Sequence, residues 1–237
     1  MKIVFFSDAH GNQYAVEEFF RRMRDENPDL IVYGGDVFGY YYGQYEILSM
    51  LSAHNCVQLL GNHDQYFLNL LDGKITQDHL ITRYGKTYKN IIKRIPENYV
   101  DRLRRLSSRY NLSVDGLSIT FVHGSIDDPM NGRIYPNTHI EDLSSYKDID
   151  YVFMGHTHHK LSIELNCGTY LINPGSIGQQ RDGKGCAYGV FDTISKEYDL
   201  KTINYDVNRL INEIDLHNET VYMHDRLIEV LFRRSER

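Results

Sequence analysis

Five short motifs rich in Asp, Asn, His and Gly constrain this chain more than any other feature of its sequence. Each of them comes at the end of an apolar run of the kind that forms a buried β-strand. In chain order the motifs are Asp8-Ala9-His10-Gly11-Asn12, Gly34-Gly35-Asp36, Gly61-Asn62-His63-Asp64, Val122-His123-Gly124 and Gly155-His156-Thr157-His158. Asp, Asn and His supply oxygen and nitrogen ligands to divalent metals, and Gly lets the backbone pass close to an ion. The pattern therefore predicts a hydrolase that holds two metal ions.

The first part of the chain alternates strands and helices. Apolar runs predict strands at 2–7, 30–33 and 56–60. Between them, apolar residues at helical spacing predict a helix over 13–26 and a second helix around Ile47. Such alternation is typical of a parallel sheet covered by helices, and open α/β sheets bind ligands at the carboxyl ends of their strands. We therefore expect the first three motifs to lie side by side.

The rest of the chain departs from that alternation. Residues from about 65 to 109 are predicted to form a basic, Tyr-rich helical insertion. Further along, the patterns predict a hairpin over 111–122 that turns at Asp115-Gly116, a strand at 151–154, meandering β structure over 161–205, and C-terminal helices at about 207–216 and 220–232. No linker-like or repetitive segment divides the sequence, so we expect a single domain over residues 1–237.

Composition excludes several classes of protein. Of the 237 residues, 41% are hydrophobic and 24% are charged, which is ordinary for a globular protein with a full core. No apolar stretch reaches the length of a transmembrane helix, and the apolar run at 2–7 is too short for a signal peptide. We therefore expect a cytoplasmic protein without a membrane partner. The cysteines Cys56, Cys167 and Cys186 are odd in number and widely spaced, so we expect all three to be buried, reduced thiols.

The net charge of −6 conceals a basic segment. Nine Lys and Arg residues against Glu97 and Asp101 give residues 83–109 a balance of +7, which leaves −13 on the rest of the chain. An acidic body disfavours constitutive binding to nucleic acid. We expect the basic segment to lie near the metal site and to steer an anionic substrate, with an ordinary solvated helical face as the alternative.

In order and spacing, the five motifs resemble those of the calcineurin-like metallophosphoesterase superfamily. The segment Ile172-Asn173-Pro174-Gly175-Ser176-Ile177-Gly178 is similar to one that is characteristic of its small bacterial and archaeal phosphodiesterase branch. The resemblance extends from residue 1 to about 205. It implies an α/β fold, a four-layer α/β/β/α sandwich with the helical insertion added to it and with metals at the strand ends between two sheets.

The resemblance also implies a set of site residues and a mechanism. It assigns one metal to Asp8, His10, Asp36 and His158, and the other to Asp36, Asn62, His123 and His156. His63 would stabilise the phosphoryl group or protonate the leaving oxygen. The implied cofactors are two divalent transition metal ions, first of all Mn, with Fe, Ni, Co or Zn as alternatives. Hydroxide bound to this binuclear centre would attack a small phosphorylated substrate directly.

One departure from the superfamily narrows the substrate class. The protein Ser/Thr phosphatase branch follows its second motif with an Asp-Arg-Gly element that pairs with the catalytic His. This chain has Val37-Phe38-Gly39-Tyr40 there, which disfavours a protein phosphatase. A phosphodiesterase is expected first, with a phosphomonoesterase, or a non-catalytic scaffold on the same fold, as the alternatives. The oligomeric state stays open.

Several residues near the motifs have two interpretations. Tyr40, Tyr41, Tyr42 and Tyr45 follow Asp36 and are expected to form either an aromatic wall for a base or sugar, or ordinary packing at a helix start. After His123, Arg133 and Tyr135 are candidates for contacts with a phosphate group.

Overall fold

Two five-stranded sheets face each other in the computed structural model, which describes residues 1–183 and 185–232. The strands in these ranges are β1 (Lys2–Phe6), β2 (Leu30–Tyr33), β3 (Val57–Gln58), β4 (Arg109–Val114), β5 (Leu117–Val122), β6 (Tyr151–Phe153), β7 (Lys160–Glu164), β8 (Tyr170–Pro174), β9 (Ala187–Asp192) and β10 (Tyr198–Thr202). The helices are α1 (Gln13–Glu26), α2 (Gln44–Ala53), α3 (Asn62–Leu71), α4 (Gln77–Tyr84), α5 (Thr87–Ile91), α6 (Glu97–Leu103), α7 (Val207–Leu216) and α8 (Val221–Phe232).

The first sheet has the strand order β10-β9-β1-β2-β3 and contains the predicted parallel core. Strand β1 pairs in parallel with β2, and β2 with β3, while β9 runs antiparallel to β1. Strand β3 is shorter than the predicted 56–60, because the Leu60 amide donates to the carbonyl of Ser107 and the chain has left the ladder there. The parallel sheet predicted for the first part of the chain is confirmed.

Helix α1 shows how local sequence sets the ends of an element. The Asn12 side chain accepts a hydrogen bond from the Ala15 amide at its start, and Asn27 ends it in the left-handed conformation with φ 44°. Asn is suited to both positions because its short amide bonds the backbone and tolerates positive φ. The predicted helix 13–26 is therefore confirmed at both ends.

The second sheet has the order β4-β5-β6-β8-β7 and contains the predicted hairpin. The hairpin of β4 and β5 turns at Asp115-Gly116 as expected. The meandering β structure expected over 161–205 is present as two antiparallel hairpins, and the sequence did not indicate that they belong to different sheets: β7 and β8 lie in the second sheet, and β9 and β10 in the first. The crossover begins where Pro174 ends β8 and Gly175 takes φ 86°. Proline cannot continue a ladder, and glycine allows the chain to turn away.

Aromatic side chains fill the space between the two sheets. The rings of Phe5, Phe121, Phe153 and Phe191 pack with centroid distances between 5.2 and 5.8 Å. Helices α1 and α2 cover the outer face of the first sheet. The outer face of the second sheet is covered by the segment between β5 and β6, in which one 3-10 turn (Ser144–Tyr146) is formed. The predicted α/β sandwich is confirmed, with an outer cover that is mainly irregular on this side.

The remaining helices pack around one end of the first sheet. The insertion predicted from about 65 to 109 is helical, although its first helix already begins at Asn62. Helices α7 and α8 pack against Tyr41 and Tyr42. Among the described residues, no helix combines the length and the apolar character needed to cross a membrane. One cysteine prediction is wrong: Cys167 is exposed, because it lies in the turn between β7 and β8.

Candidate metal centre

The five motifs meet at one end of the two sheets. The Asp8 amide donates to the carbonyl of Gly35 and the His10 amide to the carbonyl of Asp36, each at 3.0 Å. The Gly155 amide donates to the carbonyl of His123, and the His156 amide donates to the Asp8 carboxylate, so the loops of both sheets are joined. The structure thus brings together all seven predicted metal ligands, each of them buried, and His63 with them.

Most of the converging residues have a left-handed backbone. Asp8, His10, Asp36, His156 and His158 have φ between 48° and 65°. L-residues rarely adopt this region, and Asp, Asn and His tolerate it better than most. Non-glycine residues in sparsely populated conformations cost about 1–3 kcal/mol each and cluster at functional sites. The rest of the fold must therefore stabilise these loops in conformations that are locally unfavourable.

One group of ligand atoms consists of Asp8, His10 and His158. The Nδ1–H of His10 donates to the carbonyl of Phe38 at 2.7 Å, and that of His158 to the carbonyl of Gln179 at 2.6 Å. These bonds place the proton of each neutral ring on Nδ1 and leave a lone pair on Nε2. The two Nε2 atoms lie 3.0 Å apart, and Asp8 Oδ1 is 3.4 Å from His158 Nε2.

A second group consists of Asp36, His123 and His156, with Asn62 beside it. The Nδ1–H of His123 donates to the carbonyl of Gly34, so its Nε2 faces Asn62 Oδ1 at 3.0 Å and Asp36 Oδ2 at 3.4 Å. The buried Nε2 of His156 has no hydrogen-bond partner among the described residues. Buried polar atoms are rarely left without a partner, so this nitrogen indicates a ligand.

Asp36 joins the two groups. Its Oδ2 lies 3.4 Å from His123 Nε2 and 3.8 Å from His10 Nε2, while its Oδ1 accepts the His63 amide at 2.7 Å. This carboxylate oxygen lies between the Nε2 atoms of His123 and His10, where it could contact ions held by either group. Two lone pairs that face each other, a carboxylate between the two groups and an orphaned imidazole nitrogen fit a pair of divalent cations, and the O/N donor set fits transition metals.

The titration behaviour of the centre follows from burial and mutual charge. Burial raises the pKa of Asp36, but the imidazoles of His123, His63 and His10 outweigh it and hold that pKa well below the usual range. Burial lowers the pKa of His10 to about 3 and that of His158 to about 4. For His123, the Asp36 carboxylate outweighs burial and raises the pKa to about 9. Burial likewise lowers the pKa of His156 to about 4. His10, His156 and His158 are therefore neutral and ready to bind metal at neutral pH, and a metal ion would displace the proton of His123.

His63 lies beside the ligands and has a hydrogen-bond partner of its own. Its Nδ1 is 2.9 Å from the hydroxyl of Tyr88, which comes from α5 of the insertion. His63 also forms a third ligand-like group with His10 and Asp36. Burial lowers its pKa to about 3, against the opposing effect of Asp36. The side-chain partner of His63 is thus a tyrosine, whereas the protein phosphatase branch has an Asp. The sequence did not reveal this partner, because Tyr88 is remote from every motif.

Asp64 is a structural residue of the site to which the sequence analysis assigned no role. Its carboxylate accepts hydrogen bonds from the amides of Gly61, Asp36, Val37 and Phe38. Burial and the nearby Asp36 charge raise the pKa of Asp64 to about 7. These bonds hold the second and third motifs against each other. The sequence did contain a signal for this role. Asp64 lies three residues after Gly61, the residue that caps the start of α3, and an acidic side chain at that position commonly accepts backbone amides.

Tyrosines form one side of the entrance. The Tyr40 ring lies 4.8 Å from that of His10 and 5.2 Å from that of His63, and the Tyr84 ring lies 4.5 Å from that of His63. Tyr41 and Tyr42 pack in the core under α7 and α8, and Tyr45 is exposed. Of the two interpretations of this run, an aromatic wall therefore fits Tyr40 and packing fits Tyr41 and Tyr42.

The positive charges felt at the centre come from outside the basic segment. Arg181 contributes to the low pKa of His63 and of His158, and Arg133 to that of His156. Tyr135, the other candidate, stacks edge-on against His159. The basic segment contacts the site through Tyr84 and Tyr88. Those of its Lys and Arg side chains that have a partner in the structure pair with residues outside the site.

Those partners are spread over other elements. Arg94 pairs with Glu46 of α2, and Arg104 pairs with Asp72 at the end of α3. The ammonium of Lys86 donates to the carbonyl of Asn218. The expectation that these charges lie at the metal site is therefore not met for Arg94, Arg104 and Lys86.

Comparison with known proteins identifies a family and structures of similar fold. Residues 1–196 match the model of the calcineurin-like phosphoesterase superfamily domain. An uncharacterised protein of Methanocaldococcus jannaschii is 26% identical over 244 residues, covering 95% of this chain and 96% of the relative. A metallophosphoesterase from Sphaerobacter thermophilus superposes with a TM-score of 0.76 at 23% identity over 96% of this chain and 99% of that structure. A novel archaeal phosphodiesterase shares the fold with a TM-score of 0.50 at 19% identity over 86% and 100% of the two chains.

Proposed function

This chain belongs to the calcineurin-like phosphoesterase superfamily, and from that premise we propose that it is a metal-dependent phosphodiesterase acting on a small phosphorylated substrate. One observation carries the proposal: the buried Asp36 carboxylate lies between two groups of buried ligand atoms, 3.8 Å from His10 Nε2 of one and 3.4 Å from His123 Nε2 of the other. A scaffold protein has no need of a complete ligand set, and its buried charges would only cost stability.

In this proposal Asp8, His10, Asp36 and His158 hold one divalent ion, and Asp36, Asn62, His123 and His156 hold the other. When bound, such a pair activates water at neutral pH and neutralises charge on the phosphoryl oxygens. The protein itself supplies ligand orientation, through the backbone carbonyls of Phe38, Gln179 and Gly34 on the three Nδ1–H groups. Such outer contacts keep the ligand nitrogens pointed at the metals.

His63 assists the leaving group. The Nδ1 of His63 is hydrogen-bonded to Tyr88, so its Nε2 can interact with the substrate. The backbone amide of His63 donates to Asp36 Oδ1. With a pKa lowered to about 3 the ring is neutral at neutral pH. The Tyr88 hydroxyl is within hydrogen-bond distance of two acceptors, His63 Nδ1 at 2.9 Å and the His63 backbone carbonyl at 3.2 Å. When Tyr88 donates to Nδ1, the neutral imidazole carries its own proton on Nε2, from which it donates a hydrogen bond to the leaving oxygen.

A panel of phosphate esters assayed with each divalent metal tests the proposal. We expect purified protein to bind close to two transition-metal ions per chain by elemental analysis, and to hydrolyse bis(p-nitrophenyl) phosphate faster than p-nitrophenyl phosphate, best with Mn²⁺. Preference for the monoester would replace the phosphodiesterase by a phosphomonoesterase. Failure to bind metal or to hydrolyse any ester would leave the scaffold alternative.

A further inference from the structure

A pocket of about 260 Å³ opens beside the metal centre, between the loop after β8 and the face of α8. It is lined by Tyr40, Gln179, Arg181, Met223, Arg226, Leu227 and Val230. The Tyr40 side chain lines this pocket and also contacts the metal centre. The centroid of its ring lies 4.8 Å from that of the His10 ring and 5.8 Å from the guanidinium carbon of Arg181. The pocket and the metal centre are therefore adjacent, at a distance that a small molecule can span.

Arg181 is held at the wall of the pocket by neutral groups. One guanidinium nitrogen donates to the Tyr40 hydroxyl and to Gln179 Oε1, each at 3.0 Å. The backbone carbonyl of Gln179 in turn accepts the Nδ1–H of His158, so the same short segment orients a metal ligand and the arginine. Preorganised guanidinium groups bind phosphate with little further ordering.

The described residues that line the pocket carry a net positive charge. Arg226 of α8 lines the same space, and none of the lining residues within the described ranges is acidic. Within residues 1–183 and 185–232, neither Arg181 nor Arg226 forms an ion pair with a carboxylate. Two guanidinium groups without a compensating carboxylate match a phosphate, which carries close to two negative charges at neutral pH. Met223, Leu227 and Val230 form an apolar side that suits a carbon linker.

We propose that this pocket binds a second phosphate group of the substrate, linked by a short carbon skeleton to the phosphate that reacts at the metals. The inference rests on the proposed function, because it places the reacting phosphate at the metal centre. Arg181 and Arg226 are then the residues that determine specificity for doubly phosphorylated molecules over singly phosphorylated ones.

Isothermal calorimetry with Mn²⁺-loaded protein tests the subsite without relying on turnover. The probes are propyl phosphate and a series of alkane-α,ω-diyl bisphosphates from ethane to hexane. We expect at least one bisphosphate to bind about tenfold tighter than the monophosphate or better, since charge-assisted hydrogen bonds to a second phosphate are added. In both Arg181→Gln and Arg226→Gln the bisphosphate should bind no more tightly than the monophosphate.

Arg24→Gln is the matched control, because Arg24 is exposed at the end of α1 and does not line the pocket. It should keep the full advantage. Equal binding of mono- and bisphosphates at every chain length, or an advantage retained in both pocket variants, would overturn the subsite. If the protein binds bisphosphates in this way but hydrolyses no ester, the proposed function fails and the subsite stands.

Discussion

At the scale of single residues, the site depends on residues in backbone conformations that non-glycine residues rarely adopt. Asp8, Asp36 and His156 are left-handed and buried, and each is hydrogen-bonded to another residue of the site. Gly39 is needed for a different reason: a Cβ there would collide with the Nδ1 of His63. The residues of the site therefore act as one preorganised group, and their individual roles are separated best by removing groups outside the metal ligands.

His63→Ala should keep both metals and lose about 10²–10⁴ in rate, because the variant removes a proton donor and no metal ligand. The loss should be smaller for p-nitrophenyl esters, whose leaving oxygen needs little stabilisation, than for alkyl esters. Measured metal content and kcat for both ester types check this. An equal loss for the two types would assign His63 to the phosphoryl oxygens instead of the leaving group.

At the scale of elements, two partly buried carboxylates lie where α7 packs near α2. Glu213 of α7 lies near Glu46 of α2, and one carboxylate oxygen of each has no hydrogen-bond partner in the described part of the chain. Burial, with the Glu46 charge added, raises the pKa of Glu213 to about 7, although Arg94 and Arg209 oppose the shift. Ionising this carboxyl therefore destabilises the packing of α7.

Glu213→Gln should make the protein more stable above pH 7 and leave it unchanged near pH 4.5. A carboxyl whose pKa is higher in the folded than in the unfolded state stabilises the fold while it is protonated, and that contribution is lost as pH rises from its unfolded value to about 7. After discounting for partial exposure the difference at pH 8 is on the order of 1 kcal/mol. Urea unfolding of both proteins across this range measures it, with the exposed Glu141→Gln as control. A difference that does not vary with pH would exclude Glu213 as the cause.

Reversing the exposed Lys89 and Lys93 to Glu should change kcat/KM for an anionic diester by less than about twofold. The insertion contacts His63 through Tyr84 and Tyr88, while Arg94 pairs with Glu46 and both Lys89 and Lys93 are exposed to solvent. Exposed charges are screened within about 8–10 Å at ordinary salt. The salt dependence of kcat/KM gives the measurement. A strong loss of kcat/KM together with a flatter salt dependence would restore the steering role predicted from the sequence.

At the scale of the whole molecule, the two sheets are held together at one end by the site. Loops from both sheets place Asp8, His123 and His156 in contact there, and the aromatic core holds the opposite region. Ions that bind between those loops favour the folded state, because the unfolded chain does not assemble the ligands.

Mn²⁺ at about 100 times its Kd should therefore raise stability by about 2.7 kcal/mol per independent ion, and the Tm of a chain this size by several degrees. Thermal denaturation before and after treatment with a chelator shows the effect. Asp36→Asn removes the charge of the shared ligand, so most of the metal-dependent increase should disappear, while the metal-free variant keeps the fold. A full increase in Asp36→Asn would show that the ions bind elsewhere.

The sequence alone determined the parts of this protein that depend on local chemistry. The apolar runs and their helical spacing predicted β1, α1 and β2 almost to the residue, because period and capping are properties of neighbouring residues. The five motifs likewise named every ligand-type residue that converges at the centre, since strand ends in such sheets meet at one edge.

Only the tertiary structure decided which distant groups complete the site. Tyr88 reaches His63, and Arg181 reaches Tyr40 beside α8, across long stretches of chain that carry no motif. The same holds for the assignment of β9 and β10 to the first sheet, which follows from the packing of two sheets and not from the pattern of either strand. Contacts between residues far apart in sequence depend on how elements pack, and alternation or spacing within one segment carries no information about its partner.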